Sequence, residues 1–174
     1  MSSKKNSLTP IHYFGLFDGH GGSKCAEFLR DNFHKIVLDE ENFLKSPDEF
    51  ILAGFNKAEE IIINTNIEQF NKKKEIDKSG SCANVAFIIN DILYIANLGD
   101  SRTVLCHQNI TKISQVTTDH KPNLSKEEKR IHNYGGIIYR YLYFKQGIHL
   151  NLLTILLIKV SLELNLEVWQ CRGP

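Results

Sequence analysis

Nothing in this sequence constrains its fold more than the ten residues Tyr13-Phe14-Gly15-Leu16-Phe17-Asp18-Gly19-His20-Gly21-Gly22. The stretch begins as an apolar, aromatic-rich run that reads as a strand, and it breaks off in Asp-Gly-His-Gly-Gly. Residues two apart in an extended chain share one side, so Asp18 and His20 are neighbours at the strand's end. Gly19, Gly21 and Gly22 carry no side chains, which leaves room for an ion or a phosphate against the backbone. A hard divalent cation takes carboxylate and carbonyl oxygens, and a leaving group takes a proton donor. Asp18 with the Gly19 carbonyl offers the first, and His20 offers the second. An Asp-Gly turn closing a hairpin beside a surface histidine suits these residues equally well.

Further along stand Ser79-Gly80-Ser81-Cys82-Ala83 and the apolar run Leu93-Tyr94-Ile95-Ala96-Asn97-Leu98, which ends in Gly99-Asp100-Ser101-Arg102. Thr118-Asp119-His120-Lys121-Pro122 follows, with Glu128, Arg130-Ile131 and Gly135-Gly136 behind it. Motifs in a fixed order are far more specific than any one alone. Taken together they resemble the metal-dependent serine/threonine protein phosphatases of type 2C, over residues 11–140. The resemblance implies an α+β fold, a layered sandwich of antiparallel β-sheets flanked by α-helices. It also implies hydrolysis of phosphoserine and phosphothreonine in phosphorylated protein substrates, with two magnesium or manganese ions that activate water and clamp the phosphate. On that resemblance Asp18 is the carboxylate bridging the ions, and the Gly19 carbonyl holds one of them. His20 is the general acid for the departing oxygen, and Asp100 is a further metal ligand acting through water or an extra ion. Asp119 and His120 read instead as a turn locked by side-chain hydrogen bonds.

The resemblance has gaps. The family carries an arginine that grips phosphate and an acidic pair upstream of the first motif, whereas the thirteen residues before Phe14 contain no Arg, Asp or Glu. It also uses two aspartates near its C-terminal end, and here none follows Asp119. Cys82 stands where the family usually has threonine, a thiol in place of a hydroxyl. The expectation is therefore an incomplete domain. The alternative is an inactive truncated form or pseudophosphatase that binds phosphoproteins. Three segments are expected: polar residues 1–10, a partial phosphatase-like domain at 11–140, and a divergent apolar segment at 141–174.

Composition narrows the partners. A net charge of +1 gives no reason to expect nucleic acid, and the 42% hydrophobic and 24% charged fractions are those of an ordinary globular chain. No run is long and apolar enough for a membrane span, since the one at 148–157 is too short. Cys25, Cys82, Cys106 and Cys171 form no Cys-x-x-Cys pair, so a zinc site is not expected and a reduced, cytoplasmic or nuclear chain is. No secretory signal is visible at the N-terminus.

Between the motifs the pattern predicts two helices and then strands. Ser23 precedes a helix with Cys25, Ala26, Leu29, Phe33, Ile36 and Val37 on one face, and its free N–H groups are available to an anion. Asp39-Glu40-Glu41-Asn42 is an acidic connection. Ser46-Pro47-Asp48-Glu49 carries the start signals of a second helix, with Phe50, Ile51, Phe55, Ala58 and Ile62 as its buried stripe and an end near 71–75. Strands at 85–89 and 92–96 are joined by Asn90-Asp91. They continue as a meander through 102–106 and 111–116, and a short helix from Ser125 stops at Gly135-Gly136. The apolar run at 148–157 fits a strand, a helix or a segment that does not pack.

Overall fold

A computed structural model of the chain describes residues 10–38, 43–106, 113–145, 148–157 and 167–172. They divide into two compact units, one within 1–119 and 165–174, the other within 120–164.

The first unit is built on a four-stranded antiparallel sheet in the order β1-β2-β3-β8, formed by Ile11–His20, Gly80–Ile89, Ile92–Leu98 and Glu167–Arg172. The two faces of this sheet differ. On β2 the side chains of Ala83, Val85, Phe87 and Ile89 are buried while Cys82, Asn84, Ala86 and Ile88 are only half-buried, the period of two that a pleated strand imposes. The buried face is covered by α1 (Lys24–Leu38) and α2 (Pro47–Lys73). Leu29, Phe33 and Val37 recur at helical spacing and give α1 one apolar stripe, and Ile51, Phe55 and Ala58 do the same for α2. Gly54 lets the two helices close up, because a Cβ there would overlap the Val37 side chain. Phe33 is fully buried, with its ring 4.7 Å from Phe55 and 6.0 Å from Phe17 of β1. Burying that one side chain stabilises the fold by about 2–3 kcal/mol. Phe87 sits 4.9 Å from Tyr13 of β1 and 5.8 Å from Phe43 in the turn between the helices, so aromatic contacts also join neighbouring strands and that turn.

Both helices lie where the apolar spacing places them, yet their caps differ from expectation. Ser46 stands at the N-cap of α2 without a side-chain cap bond, and Pro47 takes the first helical position. The helix runs through Lys73, and Lys74 closes it in the left-handed region at φ 59° with its N–H on the Phe70 carbonyl. At α1 the Cys25 N–H donates to Ser79 Oγ at 3.1 Å, so a hydroxyl from the residue just before β2 already occupies a donor expected to face an anion. Asp77 holds that serine by accepting from the Ser79 N–H at 2.9 Å.

The β2–β3 turn falls at Asn90-Asp91, with Asn90 at φ 53°. The expected meander does not continue beyond β3. Val104–Cys106 (β4) and Ile113–Gln115 (β5) pair with each other in a separate ribbon, and β8 takes the place beside β3. Where the chain leaves β3, Gly99 stands at a φ of +101°, a conformation that L side chains rarely adopt. Residues 39–42 and 111–112, read as an acidic connection and the start of a strand, lie outside the described residues.

In the second unit α3 (Ser125–Asn133) starts at Ser125 as the pattern predicts, with Leu124 at its N-cap and no side-chain cap bond. It ends as expected at the glycine pair, with Gly135 at φ 75° and the Gly136 N–H on the Ile131 carbonyl. Ile137–Lys145 (β6) then pairs antiparallel with Ile148–Leu157 (β7), with a register irregularity at Tyr141/Leu142. Of the three readings open for 148–157, the strand is the one adopted. Among the described residues no helix is long and apolar enough to cross a membrane.

Candidate active site

On the sheet face opposite the helices, the end of β1, the start of β2 and the turn after β3 lie side by side. Strand register does the placing. Asp18 pairs with Cys82 and His20 with Gly80, so Asp18 and Cys82 project from the same face as directly opposed neighbours. Cys82 in turn donates its thiol proton to Asp100 Oδ1 at 3.3 Å. One cysteine thus links the strand bearing Asp18 to the turn bearing Asp100. Both carboxylates and His20 are exposed. The His20 imidazole lies over Gly80, where an added Cβ would come within 2.5 Å of Nε2, so a glycine there is what leaves room for the ring. Gly19 pairs with Ser81, one step along the same ladder.

Burial pushes the Cys82 thiol up from its ordinary value, and the carboxylate that accepts its proton adds to the shift against partly offsetting backbone N–H groups of Asp100 and Ser101. The sulfur therefore acts as a protonated donor toward Asp100. It is also packed on the turn itself, since a Cβ at Gly99 would overlap Sγ.

The turn is braced from both ends. Asn97 is almost fully buried at 1% exposure, and its Nδ2 donates to the carbonyls of Gly99 and Thr118, each at 3.2 Å. Its Oδ1 accepts from Asn84 Nδ2 at 2.7 Å, and Thr103 Oγ1 donates to Asn84 Oδ1 at 2.6 Å. Arg102 forks onto Asp119, Nε to Oδ1 at 3.0 Å and Nη2 to Oδ2 at 2.7 Å, and this pairing raises the guanidinium further above its ordinary value. Asp119 thus locks a loop through side-chain hydrogen bonds, as the sequence suggests. Asn84 and Asn97 were not signalled by spacing; a buried asparagine inside an apolar strand is the one mark that points to them.

The sequence model of the family described as protein phosphatase 2C matches residues 1–152. The chain belongs to that family. Among curated relatives, "Probable protein phosphatase 2C 2" of Paramecium tetraurelia is 36% identical over 141 residues, which is 78% of this chain and 46% of the relative. "Probable protein phosphatase 2C 7" of Oryza sativa subsp. japonica is 34% identical over 140 residues, 79% of this chain and 34% of the relative. The chain thus spans less than half the length of these family members. A serine-threonine phosphatase 2C from Toxoplasma gondii shares the fold with a TM-score of 0.62 at 24% identity, over 76% of this chain and 47% of that one. A C. elegans sex determining protein does so with a TM-score of 0.64 at 20% identity, over 94% and 40%. The α+β architecture of antiparallel sheets and helices is that of the family.

Asp18 and Asp100 offer exposed carboxylate oxygens, the donor chemistry that magnesium or manganese takes. Among the described residues no group of three or more His, Cys, Asp or Glu is placed to enclose an ion. The donors fit a hard cation in kind.

Proposed function

We propose that this chain carries part of the active site of a metal-dependent protein phosphatase acting on phosphoserine and phosphothreonine. The observation that supports it most is the strand register, which brings Asp18, His20 and the Asp100 turn to one face through Cys82. Asp18 and Asp100, with the Gly19 carbonyl, would hold magnesium or manganese. When bound, such ions supply the positive charge that phosphoryl transfer from an anionic ester needs. His20 delivers a proton to the serine or threonine oxygen as it leaves, a role its exposure and its seat over Gly80 allow. Gly19, Gly21 and Gly22 beside it have the Ala26 side chain, the Lys78 carbonyl and the Ser79 side chain where a Cβ would stand, so they serve close packing of the chain on itself. The substrate class is phosphorylated protein.

The test uses manganese-dependent phosphate release from a phosphoserine peptide and from an aryl phosphate. It is run on the 174-residue chain and on a chimera in which the chain replaces the matching part of a full-length relative. The chimera is expected to turn over both substrates and the short chain to do so slowly, because few charged ligands remain to hold the ions. Asp18→Ala silences the chimera. His20→Ala slows the peptide by roughly a hundredfold and the aryl ester far less, since a phenolate leaves without a proton. Full turnover by the Asp18→Ala chimera defeats the assignment.

A further inference from the structure

We infer that Asp119 is a positioning residue for Asp100, acting through Arg102 to fix the turn from which that carboxylate projects. The inference rests on the reading of Asp100 as a metal ligand. Asp119 is a carboxylate with only 7% of its side chain exposed, and it spends both oxygens on one guanidinium. Arg102 lies two residues from Asp100. A bidentate fork fixes orientation as well as distance, which a single bond does not. The same two chain segments are stitched again by the Asn97 amide on Gly99 and Thr118, by the Thr103 N–H on Thr117 Oγ1 at 2.9 Å, and by the Val116 N–H on the Thr103 carbonyl at 2.9 Å. Between these stitches stands Asp100, exposed, touched at its carboxylate by Cys82. A ligand on a free turn must be ordered at the moment an ion binds, whereas one on a clamped turn is ordered beforehand.

The experiment measures manganese affinity of the 174-residue chain by water-proton relaxation, for Arg102→Lys, Asp119→Asn and Asp100→Asn singly, and for Arg102→Lys in the Asp100→Asn background. Arg102→Lys keeps the charge and loses the fork at a half-exposed position, so it stays folded even where Asp119→Asn does not. Each clamp variant is expected to weaken manganese roughly tenfold. In the Asp100→Asn background, Arg102→Lys is expected to add nothing, because the residue it positions is gone. Equal losses in both backgrounds would overturn the inference, since a clamp that only stabilises the fold acts independently of Asp100. Unchanged affinity in Arg102→Lys, with a loss in Asp100→Asn, overturns it too while leaving the reading of Asp100 intact. Unchanged affinity in Asp100→Asn removes that reading and the inference with it.

Discussion

Truncating Asn97 to alanine removes three hydrogen bonds at once. Its Oδ1 accepts from Asn84 at 2.7 Å, and its Nδ2 donates to two carbonyls at 3.2 Å. Each such bond contributes about 1 kcal/mol net, so Asn97→Ala is expected to cost about 3 kcal/mol. The exposed Thr118 can recover water at its carbonyl, whereas the Asn84 amide is partly shut away from it, so the loss concentrates on the β2–β3 pair. Against a typical domain stability of about 5–15 kcal/mol this is a large fraction. Urea unfolding at pH 7 measures it, with an unchanged m-value showing that the same surface is exposed. A near-isosteric control sharpens the reasoning. Asn97→Asp keeps the acceptor for Asn84 but loses both donors and sets a carboxylate against two carbonyl oxygens. Burial against two carbonyl oxygens, with Asn84 as the one remaining donor, raises the folded-state pKa of that carboxyl, so the folded state keeps the proton longer than the unfolded chain. Its stability then falls as pH rises past about 4, the value at which the unfolded carboxyl titrates. A loss below about 1 kcal/mol in Asn97→Ala, or a pH-independent Asn97→Asp, would refute the claim that this amide holds the turn.

Gly80→Ala is expected to push the His20 ring aside, lowering phosphopeptide turnover of the chimera roughly tenfold or more with little effect on the aryl ester; equal losses on both substrates would contradict it. The Tyr13 hydroxyl is buried with no hydrogen-bond partner among the described residues, and burial has pushed its pKa up to about 12. Tyr13→Phe should therefore be neutral or raise stability by about 1 kcal/mol in thermal unfolding, and a clear loss would reveal a partner. Burial also raises the Glu59 carboxyl above its ordinary 4.5. The folded state thus prefers the protonated form, and stability falls as pH rises from that value through the raised one. Glu59→Gln removes this dependence, so its urea midpoint should exceed that of the parent at pH 7 and match it near pH 4; a gap between the two midpoints that does not widen between those pH values would reject it.

The residues around Asp18 show how far local pattern reaches. Period-two alternation and the Asp-x-His spacing put Asp18 and His20 on one side of a strand, and the helical stripes of Leu29, Phe33, Val37 and Ile51, Phe55, Ala58 identify the helix faces that became core. These follow from side-chain geometry within one element, which neighbours in sequence decide. The caps were less legible. Ser79 reaches Cys25 across 54 residues, and no local signal encodes such a partner.

What the sequence determined by itself was the motifs, the family resemblance and the elements from β1 to α3, while the strands after Gly136 were not legible in it. The tertiary structure alone decided which strands became neighbours: β8 rather than β4 beside β3, and Cys82 opposite Asp18 with its thiol on Asp100. Register between strands depends on backbone pairs drawn from distant stretches, and these do not follow from the preferences of single residues.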